Sequence, residues 1–317
     1  MRVLKSILVP AALAALLAAC GGSERVEDYV PTKLVAFGDE LSVINSDGSK
    51  HGVNALKTNS TALDCATYPV WPQAVASGYG LVFPQCNSSG VLTTSAEMKA
   101  VAGAKVADVV AAVQAYQGTT GFTRSTLVTL MAGQNDILAA YADWKSGALT
   151  SAQATAQVAA AGKTLGTLVN TITASGNGGR VLYATPPDIG YSPFAASEVA
   201  SAGSEDRRTM LRDLTAAFVE AMRLAVTNDG AYAALVTADQ LTVSMATNTN
   251  LSAYSLTNNT EAACTVTPLT SCTVATLVSG AASSGTTYLW ADAKVPGPNW
   301  QARVGSAALS RARNNPF

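Results

Sequence analysis

Four short apolar runs, each stopped by turn-forming residues and followed by a long helical pattern, leave this chain few ways to fold. The runs are residues 34–37 (LVAF), 126–131 (TLVTLM), 180–184 (RVLYA) and 234–237 (ALVT), and residues 286–290 read as a short fifth. Their length and their Gly, Pro and Asp neighbours mark buried strands. A strand that is followed by a helix returns to pair in parallel, and a parallel sheet needs helices on both of its faces. The alternation therefore predicts an α/β fold in three layers, α/β/α, around a parallel sheet.

Helical spacing fills the intervals. Residues 96–116 carry Met98, Val101, Val106, Val109, Val110 and Val113, with helix-like spacing in the second half, and residues 150–173 carry Val158, Leu165, Leu168, Val169 and Ile172. Residues 204–228 are amphipathic through Leu211, Leu214, Phe218 and Met222, and residues 301–312 read as a terminal helix. Two polar stretches interrupt this order, residues 46–85 and 248–285, both rich in Ser, Thr, Asn or Gly. Long insertions after strands are where α/β proteins build their pockets. No internal repeat or dividing linker is visible, so residues 32–317 read as one domain.

The first nineteen residues read as an export signal. Arg2 and Lys5 form a basic start, residues 7–17 form an apolar stretch shorter than a membrane span, and Leu17-Ala18-Ala19-Cys20 has the form of a lipobox. On this reading Cys20 carries lipid, residues 20–31 tether the domain to a membrane, and several acyl chains give stable anchoring. An ordinary signal peptide with a free Cys20 is the other reading. The expected location is the bacterial envelope, the outer membrane rather than the inner, because no acidic residue directly follows Cys20. A formal net charge of −1 gives no reason to expect a nucleic-acid partner. Charged residues are only 13% of the chain, so much of the surface is Ser, Thr, Asn, Gln and Ala, which suits an exported protein.

Beyond Cys20 four cysteines remain, Cys65, Cys86, Cys264 and Cys272. An even count in an exported chain predicts two disulfides, with three pairings open. Cys65–Cys86 and Cys264–Cys272 are favoured because each closes a local loop in a polar segment. No zinc site is expected: the spacings are wrong, and the single histidine, His51, lies in a polar loop.

The first strand runs into Gly38-Asp39-Glu40-Leu41-Ser42. Further on stand Ala102-Gly103-Ala104-Lys105-Val106, Gly133-Gln134-Asn135-Asp136, Thr185-Pro186-Pro187-Asp188, Asn250-Leu251-Ser252-Ala253-Tyr254 and Tyr288-Leu289-Trp290-Ala291-Asp292-Ala293-Lys294-Val295-Pro296. In this order and with these separations the blocks resemble those of the SGNH/GDSL serine ester hydrolases. The resemblance implies a flavodoxin-like α/β/α fold, no cofactor, and an ester as substrate. It gives position 40 to the nucleophilic Ser, Gly103 and Asn135 to the oxyanion hole, Asp292 to the acid that orients the base, and position 295 to the base His.

Here the nucleophile position is Glu40 and the base position is Val295. An ester hydrolase of this type needs a nucleophile, a base and oxyanion donors, and only the donors and Asp292 remain. Three readings follow. One is a degenerate hydrolase that keeps its pocket and acts as a binding or envelope protein, with Glu40 accepting from Gly103 and Asn135 and filling the hole. Another is an active esterase on an acyl or acetyl ester. The third is a carboxylate-dependent enzyme on glycans, using Glu40 with Asp292. Ser42 is expected to point away from the cleft, Asp39 and Asp136 to be structural, and His51 to be a solvated loop residue. With no other base in view, neither Glu40→Ser nor Val295→His alone is expected to restore turnover. The aromatic residues Tyr68, Trp71, Tyr79, Phe83, Tyr191, Phe194 and Trp300 are expected mostly in small cores beneath the loops.

Overall fold

The computed structural model describes residues 29–174, 178–227, 229–230, 232–281 and 285–314. The predicted leader, Cys20 and most of the predicted tether lie outside these residues. The described chain contains β1 (Lys33–Gly38), β2 (Ala55–Leu56), β3 (Leu63–Asp64), α1 (Trp71–Gly78), β4 (Ala96–Met98), α2 (Val106–Thr119), β5 (Thr126–Met131), α3 (Gln134–Lys145) and α4 (Ser151–Ala174). It continues with β6 (Arg180–Ala184), α5 (Pro193–Ala202), α6 (Asp206–Ala225), β7 (Ala233–Val236), α7 (Ala238–Thr247), β8 (Asn258–Ala262), β9 (Tyr288–Trp290) and α8 (Pro298–Asn314).

Five strands form the central sheet in the order β4-β1-β5-β6-β7, all parallel. Chain order and sheet order part company around β1, which lies between β4 and β5. That reversal is the doubly wound arrangement expected from the alternation, and it opens a crevice at the carboxyl ends of these strands. The side chains of the central strands alternate between two cores. Val35, Phe37, Val128, Leu130, Val181 and Tyr183 face α2, α3, α4 and α6. Leu34, Ala36, Leu127, Leu182, Ala184 and Val236 face α1 and α8. Burial on both faces explains why these strands read as unbroken apolar runs.

On the first face α4 and α6 lie almost backbone to backbone. A Cβ on Gly162 would stand 2.2 Å from the Phe218 carbonyl oxygen, and one on Gly166 would stand 2.3 Å from that of Met222. Two absent side chains, one helical turn apart, thus set the separation of these helices.

The predicted pattern over residues 96–116 divides in two. Ala96–Met98 is strand β4, and the helix begins only at Val106, where Asp108 accepts a hydrogen bond from the Lys105 N–H at 2.9 Å. The intervening turn holds Gly103 at φ 79°, outside helical geometry, and leaves Val101 exposed rather than in a core. Residues 288–290 do form a strand, but β9 pairs with β8 in a separate two-stranded sheet instead of joining the central one.

The two polar insertions carry the disulfides Cys65–Cys86 and Cys264–Cys272. Three of the aromatic residues are deeper than the loop-core expectation, while Tyr68 meets it. Trp71, Phe83 and Trp300 belong to the core under α1 and α8, where the Trp300 indole N–H donates to the Thr242 hydroxyl at 2.9 Å. Tyr68 packs on a smaller core around Val53, Cys264 and Cys272.

Candidate functional site

Three loops leave the sheet at its carboxyl edge on either side of the crevice. The first follows β1. Gly38 has φ 147°, and a Cβ there would lie 2.2 Å from the Met131 carbonyl oxygen of β5, so only glycine passes this point. The chain then turns tightly. The Asp39 N–H donates to the Met131 carbonyl at 3.2 Å, the Ser42 N–H donates to the Asp39 carbonyl at 3.0 Å, and Asp39 Oδ1 accepts from the Leu41 N–H at 3.1 Å. Asp39 is fully buried, and burial with the nearby Glu40 charge pushes its carboxyl well above the ordinary carboxylate range. Its role is to close the turn.

That turn directs Glu40 toward the other two loops. Glu40 Oε2 accepts from the Gly103 N–H at 2.9 Å and from Asn135 Nδ2 at 2.9 Å, and Gln134 Nε2 donates to Oε1 at 3.3 Å. The positive φ of Gly103 turns its N–H into the crevice at the end of the β4 loop. Asn135 stands in the first turn of α3, directly after β5. Asp136, beside it, accepts from the Val106 N–H at 3.0 Å and so ties the start of α2 to the start of α3. Asp136 is half-buried and raised in pKa by that burial. It braces the two loops that supply the donors.

Ser42 is fully buried and turned away. Its hydroxyl accepts from the Trp71 indole N–H at 3.1 Å on the α1 side of the sheet. Asp292 and Val295 come from the loop after β9. Asp292 Oδ1 accepts from the Lys294 N–H at 2.8 Å and the Val295 N–H at 2.7 Å, which folds that loop on itself. The Val295 side chain is 6% exposed and packs into the core shared with α1 and α8.

Glu40, Gly103, Asn135, Asp292 and Val295 line one open cleft of about 410 Å³. The five positions picked out in the sequence are thus brought together. A sixth wall residue is His51, which the sequence places in solvent. The insertion after β1 doubles back over the crevice and sets the half-buried imidazole in the same cleft. Burial lowers its pKa, while the charges of Glu40 and Asp292 work in the opposite direction. The clue available in the sequence was topological, since His51 lies in the loop that follows the first strand, at the edge where α/β proteins bind ligands.

The backbone on either side of His51 is held firmly. Asn54 is 2% exposed, and its Oδ1 accepts from the Lys50 N–H at 2.9 Å. Its Nδ2 donates to the carbonyls of Lys50 at 3.1 Å, Gly52 at 3.1 Å, Thr270 at 3.3 Å and Cys272 at 3.0 Å. The Lys50 ammonium donates to the carbonyls of Cys65, Thr67 and Tyr68 at 2.8–2.9 Å. Burial brings Lys50 down to about 8. Among the described residues, no group of three or more His, Cys, Asp or Glu side chains is placed to hold a metal ion. A larger depression of about 560 Å³ lies elsewhere, beside Gln73, Phe83 and Cys86, and has no titratable side chain in its wall.

A doubly wound parallel sheet with amide donors gathered at its carboxyl edge defines a hydrolase-like α/β/α sandwich. A family model described as GDSL-like Lipase/Acylhydrolase matches residues 34–271, and the chain belongs to that family. Among solved structures the chain is similar to a phospholipase A1 from Streptomyces albidoflavus, at 16% identity and TM-score 0.46, covering 89% of this chain and 99% of that one. It is similar also to an extracellular lipase from Streptomyces rimosus, at 14% identity and TM-score 0.45, covering 87% and 99%. A lipolytic protein of the G-D-S-L family from Veillonella parvula is similar at 10% identity and TM-score 0.40, covering 88% and 96%. No curated protein matches the chain.

Proposed function

We propose that this chain is a family member that has exchanged hydrolysis for binding, with its oxyanion hole filled by its own side chain. One observation carries the reading: Glu40 Oε2 accepts from both the Gly103 N–H and Asn135 Nδ2 at 2.9 Å. Those donors are the ones an ester's developing oxyanion would need. A carboxylate there presents lone pairs where the reaction requires N–H groups, and it repels the charge that acyl transfer creates. Among the described residues that line the cleft none carries a hydroxyl, and Ser42 is buried behind the turn.

The glycan-hydrolase reading has less support. Glu40 Oε2 and Asp292 Oδ1 both already accept hydrogen bonds from the fold. The anchored reading of Cys20 belongs to the same proposal, a lipid-held binding protein of the bacterial envelope, and rests on the lipobox alone. The test is a short-chain chromogenic ester offered to purified, delipidated protein, followed by a serine-directed phosphonate. The expected result is no turnover and no covalent label. Turnover abolished by the phosphonate overturns the proposal.

A further inference from the structure

We propose that His51 stands in for the base absent from position 295, so that this cleft is one substitution, Glu40→Ser, away from an ester hydrolase. The inference rests on the reading of Glu40 as a plug, and goes beyond it by assigning a latent role to a histidine from a different part of the chain. Three observations support it. The imidazole lines the same cleft as Glu40, Asp292, Gly103 and Asn135. The charges of Glu40 and Asp292, which line the same cleft, raise its proton affinity against the effect of burial, and Lys294 stands on the same wall. Its backbone is fixed by the Asn54 and Lys50 contacts, whereas no hydrogen bond engages its side chain among the described residues. A ring so placed is ready to accept a proton in the cleft.

The chemistry closes with the groups present. In Glu40→Ser the carboxylate leaves the hole, and the Gly103 N–H and Asn135 amide are freed. The new hydroxyl gives its proton to the neutral His51 imidazole as its oxygen bonds to the ester carbonyl carbon. The two amide donors hold the oxyanion. The bond to the leaving alkoxide then breaks, and the imidazolium returns the proton to that alkoxide, releasing an alcohol. Water repeats the sequence on the acyl-enzyme and releases the carboxylic acid. The resident acid Asp292 stabilises the imidazolium by its charge. Because position 295 plays no part, Val295 can remain in the core.

The experiment compares the full chain, Glu40→Ser, and Glu40→Ser with His51→Gln on a p-nitrophenyl acetate substrate, with folding checked by circular dichroism. Glu40→Ser alone is expected to turn over the ester, to be labelled at position 40 by a phosphonate, and to gain rate as the imidazole loses its proton. Adding His51→Gln is expected to lower that rate roughly 10²–10⁴-fold, the usual contribution of a positioned base. A folded Glu40→Ser variant without turnover overturns the inference, and so does activity that survives His51→Gln. If Glu40→Ser does not fold, the His51 C2 proton is titrated by NMR in the unaltered chain and in Glu40→Gln. A lower imidazole pKa in Glu40→Gln is expected, and an unchanged one overturns the inference. Esterase activity of the unaltered chain would sink the plug instead, so the two failures are distinguishable.

Discussion

The side-chain amide of Asn135 donates to Glu40 Oε2 at 2.9 Å and, on its other side, to the Ala104 carbonyl at 3.2 Å. One amide thus holds both the Glu40 carboxylate, the proposed plug, and the loop that presents Gly103. Removing the plug should leave the donors in place, because the loop contact and the Asp136 brace do not involve Glu40. Glu40→Ala is therefore expected to bind a small monoanion such as methylphosphonate in the vacated hole, with a shift of the Asn135 side-chain amide resonances on titration. The unaltered chain should show no such shift. A variant whose Asn135 resonances ignore the anion would mean that the hole collapses without its plug.

Anchoring is tested at Cys20. Cys20→Ala is expected to leave the precursor uncleaved or to release the protein from the membrane fraction, while the unaltered chain sediments with membranes and gains the mass of its acyl chains. An unmodified mature N-terminus at another residue would exclude lipidation.

The contact between α4 and α6 sets a strict size limit. Gly162→Leu drives a side chain into the Phe218 carbonyl, where even a Cβ is 2.2 Å away. Overpacking of this kind costs about 1–3 kcal/mol, occasionally more. Chemical denaturation should show that loss, and Gly162→Ala should show a smaller loss of the same sign. A midpoint unchanged by Gly162→Leu would show that the two helices separate freely.

Asp188, after β6, is 8% exposed, and burial raises it to about 6 against the pull of the Gly190 N–H and Arg212. The folded chain therefore holds this proton more tightly than the unfolded chain, whose reference value is 3.8. Between about pH 4 and pH 6 the folded state binds more protons, so stability from this group falls as pH rises through that window. Asp188→Asn keeps an acceptor for the Gly190 N–H, now at 2.9 Å, and removes the buried charge. It is expected to stabilise the protein at pH 7.5 by up to about 3 kcal/mol, the equivalent of two pKa units. The gain should shrink toward zero near pH 4. Equal gains at both pH values would contradict this account.

How far the sequence reveals the fold depends on how many neighbours an element has. β1, β5 and β6 are paired on both edges and covered on both faces, and their apolar runs announce them. β4 is an edge strand with one partner, and its Glu97 forms an ion pair with Lys33 at 2.5 Å at the surface. Such a strand needs no apolar run, so Ala96–Met98 passes for the start of a helix. Helix α3 starts inside the Gly-x-Asn-Asp block, and that motif masks its periodicity. The site divides in the same way. Glu40, Gly103 and Asn135 sit directly at strand ends, where the chain's local pattern places them. His51 is placed by Asn54, whose amide reaches carbonyls more than 200 positions away. No pattern within a window of sequence reports such a contact.

The Asn54 link also joins the two insertions to each other. Asn54 N–H donates to the Cys272 carbonyl and Val274 N–H donates to the Asn54 carbonyl, in addition to the side-chain bonds. The segment bearing His51 and the segment closed by Cys264–Cys272 are therefore tied together beside the crevice, where His51 and Leu269 share one wall. A molecule that pries at either insertion works against both, and the width of the opening is a joint property of two stretches of chain that share no local sequence.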